Sequence, residues 1–239
     1  MNTQSNSYTF IYSIVMVVIV AALLSVISLS LKPFQDANIK NEKKQNILSA
    51  ANIDVIAAEA EENYAKYITE TYVLDANGQV IEGVDAFGVE IAKEYKKPAA
   101  ERQLPVFIAT VDGAKKYILP MYGAGLWGAI WGYISFDEDK NTVYGIFFDH
   151  AGETPGLGAE IVNKEKFRNH FAGKKAFDAN GERILKVSKG ATSKGLGATE
   201  VDAISGGTIT SNAVDAMIAD YFNNYKAFLS DNQNNVEEK

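Results

Sequence analysis

The sequence contains no cysteine. The chain therefore forms no disulfide, offers no thiolate to a metal or an iron–sulfur cluster, and has no cysteine nucleophile. Its lack of thiols also suits an oxidising compartment. Histidine is nearly absent. His150 and His170 are the two imidazoles, far apart and without ligand spacing, so a metal site lacks its usual donors. Basic charge is in deficit as well: 23 Lys and Arg against 30 Asp and Glu give a net charge of -7, the wrong sign for a nucleic-acid partner. Between Tyr8 and Leu31 charge of either sign is missing altogether.

That uncharged run, YTFIYSIVMVVIVAALLSVISLSL, is the most informative feature of the N-terminal part. At about 1.5 Å per residue a helix of this length spans roughly 36 Å, enough for a bilayer core of about 30 Å. A cleaved signal peptide is the competing reading, with Ser28-Leu29-Ser30 as a small-x-small site. The run is longer than a signal core of roughly 7–15 residues, and the flank MNTQSNS has no Lys or Arg. An uncleaved single-pass anchor in a lipid bilayer is expected. Lys32, Lys40, Lys43 and Lys44 follow the run and none precedes it, which by charge alone puts the remainder of the chain in the cytoplasm.

The expected organisation is a short tail at 1–7, a transmembrane helix at 8–31, a stalk and helical lead-in at 32–70, one folded domain at 71–230 and a flexible tail at 231–239. The stalk opens on Pro33, and helix is expected from about Ile39 to Tyr67, with Ile47, Ile53, Val55 and Ile56 as its apolar stripe. Asn77-Gly78 and Asp112-Gly113 each sit between apolar runs and signal hairpins. Two more strands are expected on either side of Asp137 to Asn141. The last helix is expected to start near Asn212, because Val214, Met217, Ile218, Tyr221, Phe222 and Tyr225 recur at helical spacing. No internal repeat and no low-complexity segment is visible. The fold class is α+β: an N-terminal transmembrane helix, then a mixed domain of antiparallel sheet and segregated helices.

Four glycine-bearing stretches carry what chemistry the sequence offers. Gly123-Ala-Gly125-Leu-Trp-Gly128 matches G-x-G-x-x-G, but AIWGYISFD after it reads as strand rather than helix, so the dinucleotide fingerprint lacks its context. It reads as a turn that lets Trp127 pack, or as one side of a flat cofactor's site with Tyr122 and Trp131. Gly152-Glu-Thr-Pro-Gly-Leu-Gly158 carries a Pro-Gly turn signal. Glu153 is a candidate general base there, although a turn that shapes a pocket is the better reading. Ser193-Lys-Gly-Leu-Gly197 lacks the length and the ending of a P-loop. The fourth stretch, Asp202-Ala-Ile-Ser205-Gly206-Gly207-Thr208-Ile-Thr210, precedes the last helix. Thr210 or Ser211 as N-cap explains one hydroxyl and leaves the rest unexplained. A helix N-terminus attracts phosphate through its free N–H groups, and Gly206 and Gly207 let backbone approach an anion closely.

Asp202 through Thr208 resembles the flavinylation motif D-x-x-[S/T]-G-A-T of FMN-binding domains, with Gly207 in place of the usual alanine. The anchor, GLWG, GETPGLG and SGGTITSNAV together resemble the C subunits of Na+-translocating NADH:quinone reductases over nearly the whole chain. The resemblance implies FMN joined through its phosphate to Thr208, with Thr210 as the competing hydroxyl. It implies that Ser205, Gly206, Gly207 and Asp202 shape the attachment loop, Asp202 serving recognition by a flavin transferase, loop shape or local capping. Leu157 and Trp127 or Tyr122 are expected near the ring. It further implies an electron carrier within a six-subunit complex of the bacterial inner membrane, inert alone toward NADH and quinone, with its soluble domain in the periplasm despite the lysine count. The G subunit of Rnf-type complexes shares two of the motifs and is the nearest alternative. A non-redox, membrane-tethered binding domain is the contrasting one.

Overall fold

A computed structural model describes residues 5–230. The expected tail at 231–239 and the first four residues lie outside the described part. The chain divides into two units, the first ending at Lys43 and the second beginning at Lys44.

Helix α1 runs Asn6–Ala50. It is the one described helix long and apolar enough to cross a membrane, and its side chains from Phe10 to Leu31 are exposed. The hydroxyls of Ser25 and Ser30 donate to the carbonyls of Ala21 and Ile27, at 2.8 and 2.9 Å, so neither needs water. Pro33 lies inside this helix, where it removes one backbone donor, and does not end it.

The helix expected from Ile39 to Tyr67 is interrupted. α1 stops at Ala50, and α2, Ala60–Tyr67, starts after a gap. Asn52 takes a positive φ of 60°, and its side-chain amide donates to Tyr144 O at 2.9 Å. The N–H groups of Ala51 and Ile53 turn back to Leu48 O. A left-handed Asn closing the last turn is a common helix stop. The stripe misleads because Ile53, Val55 and Ile56 are β-branched and as content in extended chain as in helix.

The domain is built on a five-stranded antiparallel meander. Its strands are β1 (Ile68–Leu74), β2 (Leu104–Val111), β3 (Ala114–Ala124), β4 (Ala129–Phe136) and β5 (Val143–His150), paired in that order. The short α3, Ile91–Glu94, lies between β1 and β2. Asp112 and Gly113 both have positive φ, 51° and 82°, as the two-residue turn joining β2 to β3 requires. After β5 come a short parallel pair, β6 (Lys186–Ser188) and β7 (Glu200–Asp202), then α4 (Thr208–Asn224) and α5 (Lys226–Ser230).

Both faces of the sheet are covered, which explains the unbroken apolar run of β2. Val106 and Ile108 join a core with Val214, Met217, Ile218, Tyr221 and Phe222 of α4. The alternate residues Phe107 and Ala109 join a second core with Ile47, Ala50 and Ala51. Side chains one residue apart on a strand point to opposite faces. Each fully buried large side chain on α4 contributes about 1.5–3 kcal/mol, so this helix holds its face of the sheet by area alone. On the other face Ser135 Oγ donates to Ala50 O at 2.6 Å, pairing a carbonyl that the end of α1 leaves free.

The tetrapeptide Asp-Ala-Asn-Gly occurs twice in the sequence, and both copies fold alike. Asp75-Ala76-Asn77-Gly78 and Asp178-Ala179-Asn180-Gly181 make the same turn. In each the Asp carboxylate accepts the N–H groups two and four residues on, at 2.8 to 2.9 Å, and the glycine has φ of 80° or 76°. Asn77-Gly78 thus makes its turn, but the arm after it amounts to a single bridge, Leu74 to Val80.

Candidate functional site

Three glycine-bearing segments converge beside the end of β3 and the start of α4. The first is the tip of the β3–β4 hairpin, where Gly125 N–H donates to Gly128 O at 2.7 Å. Its G-x-G-x-x-G match therefore leads from strand to strand, which is incompatible with the strand-to-helix turn of a dinucleotide site. The second is the loop 152–158, and the third is 203–207.

Glu153 ties the three together. It is 4% exposed. One carboxylate oxygen accepts the Trp127 N–H at 3.0 Å, and the other accepts the Thr210 hydroxyl at 2.6 Å. Its own N–H donates to His150 Nδ1 at 3.2 Å. Burial pushes its pKa up, but hydrogen bonds from Thr210 and from the backbone of Trp127 and Leu126, with His150 nearby, outweigh that and hold it below the usual carboxylate range. With both oxygens engaged inside the chain, Glu153 acts as a brace, in line with the pocket-shaping reading of its loop.

The last helix starts earlier than its apolar stripe suggests. Thr208 is its first residue, and Gly207 occupies the N-cap with no side-chain cap bond. The expected capping by Thr210 or Ser211 does not occur. Ser211 instead closes the preceding loop: its hydroxyl accepts the Ile204 N–H at 3.0 Å and donates to Gly207 O at 2.9 Å. Gly206, at φ +77°, lets the chain turn into the helix. The first turn is polar, so periodicity gives no sign of it. Its first backbone N–H groups have no intrahelical partner and no side-chain cap.

The two candidate hydroxyls differ. Thr208 is exposed, and its hydroxyl makes no hydrogen bond among those of the described residues. Thr210 is 1% exposed, with its proton committed to Glu153.

A cleft of about 560 Å³ opens here, solvent included, lined by Glu153, Thr154, Leu157, Gly158, residues 206–210 and Leu126. Without the open solvent the cavity measures about 270 Å³, just under the roughly 300–1,000 Å³ of small-molecule sites, as suits a shallow cleft. Its rim carries exposed large apolar side chains: Leu126 at 46%, Leu157 at 43% and Ile209 at 60%. Glycines shape its floor. A Cβ on Gly158 would collide with Thr210 Oγ1, and one on Gly206 would lie 2.6 Å from Leu157 Cδ2. No Lys or Arg lines the cleft, so the helix terminus supplies its positive end. Apolar walls for a flat ring, free N–H groups for a phosphate and an exposed hydroxyl beside them together suit FMN.

The structure brings Leu157, Gly206, Gly207, Thr208 and Thr210 to this cleft. Trp127 is next to it on the hairpin tip, 69% exposed. Ser205 and Asp202 lie on the far side of the loop, in an adjoining groove with Glu160 and Lys166. Asp202 accepts the Thr192 N–H at 3.3 Å, and hydrogen bonding from the Thr192 side chain first, then from the backbone of Thr192 and Ala191, holds its carboxyl below the usual range against the opposing pull of burial. Tyr122 does not line the cleft. It packs on Tyr95, ring centroids 5.4 Å apart, because its position on β3 turns it toward α3. Sequence reasoning missed Ile209 and Leu126 as rim residues, and Glu153 as the brace.

Residues 125–223 match the FMN-binding domain family, a span that contains every residue lining the cleft, and FMN stands as the cofactor of this domain. The chain is 34% identical over 231 residues to the C subunit of the Na+-translocating NADH-quinone reductase of Haemophilus ducreyi, covering 90% of this chain and 88% of that one. It is 32% identical to the C subunit of the Neisseria meningitidis reductase, covering 93% and 94%. Among solved structures, the C subunit from Parabacteroides distasonis superposes with a TM-score of 0.75 at 46% identity, over 84% of this chain and 97% of that one. The corresponding protein of Shewanella oneidensis gives 0.70 at 25%, over 82% and 98%. The apolar N-terminal helix, the family match and these relatives agree: the chain belongs to the family of C subunits of Na+-translocating NADH:quinone reductases.

Proposed function

We propose that this chain carries electrons through an FMN held by a phosphoester on Thr208, as one subunit of a membrane NADH:quinone reductase. The observation that carries the reading is the contrast at the head of α4. Thr208 is exposed on the rim of the cleft and has a free hydroxyl, whereas Thr210 is buried against Glu153. FMN, when bound, supplies the reversible uptake of electrons. The chain's own residues do the rest. The first-turn N–H groups of α4 hold the phosphate, favoured by the helix dipole. Leu126, Leu157 and Ile209 give the ring apolar walls and keep water from its faces. Gly206 and Gly207 keep the Thr208 hydroxyl open to a flavin transferase. A phosphoester also prevents loss of the cofactor by dissociation.

This reading assigns the chain no chemistry toward NADH or quinone by itself. Its partners are the other subunits of a six-subunit assembly, and its soluble part faces the periplasm. The lysines after the anchor favour the opposite orientation, and neighbouring subunits override so small a bias. An alkaline phosphatase fused at the C-terminus is expected to be active, and an inactive fusion reverses the orientation. For the cofactor, the chain co-produced with a flavin transferase is expected to fluoresce on a denaturing gel. Thr208→Val is expected to be dark.

A further inference from the structure

Of the residues lining the flavin cleft, one alone is charged. Glu153 shares that wall with Leu126, Leu157 and glycines, and no Lys or Arg lines it. It is 4% exposed, and each hydrogen bond it accepts comes from the chain itself: Thr210 Oγ1 at 2.6 Å on α4 and the Trp127 N–H at 3.0 Å on the hairpin. It therefore joins the two sides of the cleft and has no freedom to swing into solvent. A Cβ on Gly125 would come within 2.5 Å of one of its oxygens, and a Cβ on Gly158 within 2.7 Å of the other. Glycine at both places lets the carboxylate sit close under the cleft.

We propose that Glu153 is a positioning residue that locks the walls of the cleft together and whose fixed negative charge holds the flavin's midpoint potential low. The proposal rests on the reading of this cleft as the FMN site. Reduction moves electrons from an outside donor onto the ring and adds negative charge there. A carboxylate kept from water in the same cleft opposes that addition, and charges interact more strongly away from water. Charge beside a flavin is a recognised means of tuning it. Because the hydrogen bonds around Glu153 favour its ionised form, the charge is present at neutral pH.

The test uses the full chain, co-produced with a flavin transferase and purified in detergent, with the covalent flavin titrated by spectroelectrochemistry. E153Q keeps the shape and removes the charge, and is expected to shift the midpoint to more positive potential. E153D keeps the charge on a shorter arm, and is expected to titrate close to wild type although it melts lower. A midpoint in E153Q equal to wild type overturns the proposal. So does an E153D midpoint displaced as far as that of E153Q, since loosened packing then explains both. A folded E153Q chain bare of flavin also overturns it, because the carboxylate is then needed for attachment and not for tuning a flavin already in place. Wild-type chain carrying no covalent flavin is a different failure: it removes the underlying reading of the cleft.

Discussion

The two ends of α4 follow opposite rules. Its C-terminal half is core: Tyr221 and Phe222 are 2% exposed, and Tyr225, capping its end, is 1% exposed. The rings of Phe136 and Phe177 lie 5.7 and 5.3 Å from that of Phe222. Its first turn is the reverse, with Thr208 open to solvent, Ile209 60% exposed and glycine where a capping side chain is usual. One end fixes the fold through area. The other gives up cap and burial to leave hydrogen-bond donors and a hydroxyl free. Substitutions at the two ends should therefore separate stability from flavin attachment.

The largest stability effect is expected at the core end. Phe222→Ala leaves a cavity beside the rings of Phe136 and Phe177 and should cost about 3–5 kcal/mol, read by denaturant unfolding of the full chain in detergent. Gly206→Ala should cost about 1–2 kcal/mol, because an alanine at φ +77° is strained. Its Cβ also pushes Leu157 aside, so flavin attachment should fall more than stability does, as gel fluorescence would show. Tyr225→Phe should cost about 1 kcal/mol and leave attachment intact, since it removes only the hydrogen bond that the hydroxyl donates to Pro105 O at 2.7 Å.

A smaller, pH-dependent effect is expected away from both ends, at Asp139 in the β4–β5 turn. Burial raises its pKa, but the Lys175 ammonium and hydrogen bonds from Thr142 and Asn141 bring it far below the ordinary value. Its folded-state pKa is depressed, so its contribution is present above the unfolded value of about 3.9 and is lost as pH falls below that. Wild type should melt higher than Asp139→Asn at pH 7, and the difference should close below about pH 4. Smallest in stability is Thr208→Val, within about 0.5 kcal/mol for an exposed side chain.

The core end of α4 is plain in the sequence, and much of the site end is hidden there. The stripe from Val214 to Tyr225 is periodic because it packs on a sheet, so the helix is visible and its first turn is not. Asp112-Gly113 is legible because a two-residue turn demands positive φ from both positions. The stop at Asn52 is not, since it depends on a bond to Tyr144 far along the chain. The SGGT loop and Leu157 are reached through motifs. Glu153 reads as a turn residue, because its partners Thr210 and Trp127 come from other segments and no spacing announces them. Trp127 or Tyr122 is expected near the ring; Tyr122 packs on Tyr95 instead of lining the cleft, a partner from another segment that no spacing announces.

The most direct test of the account is tandem mass spectrometry of the full chain, co-produced with a flavin transferase and fragmented between Thr208 and Thr210. The account predicts one FMN phosphoester per chain, on Thr208 and absent from Thr208→Val. Flavin on Thr210, or a wild-type chain with both threonines bare, would contradict it.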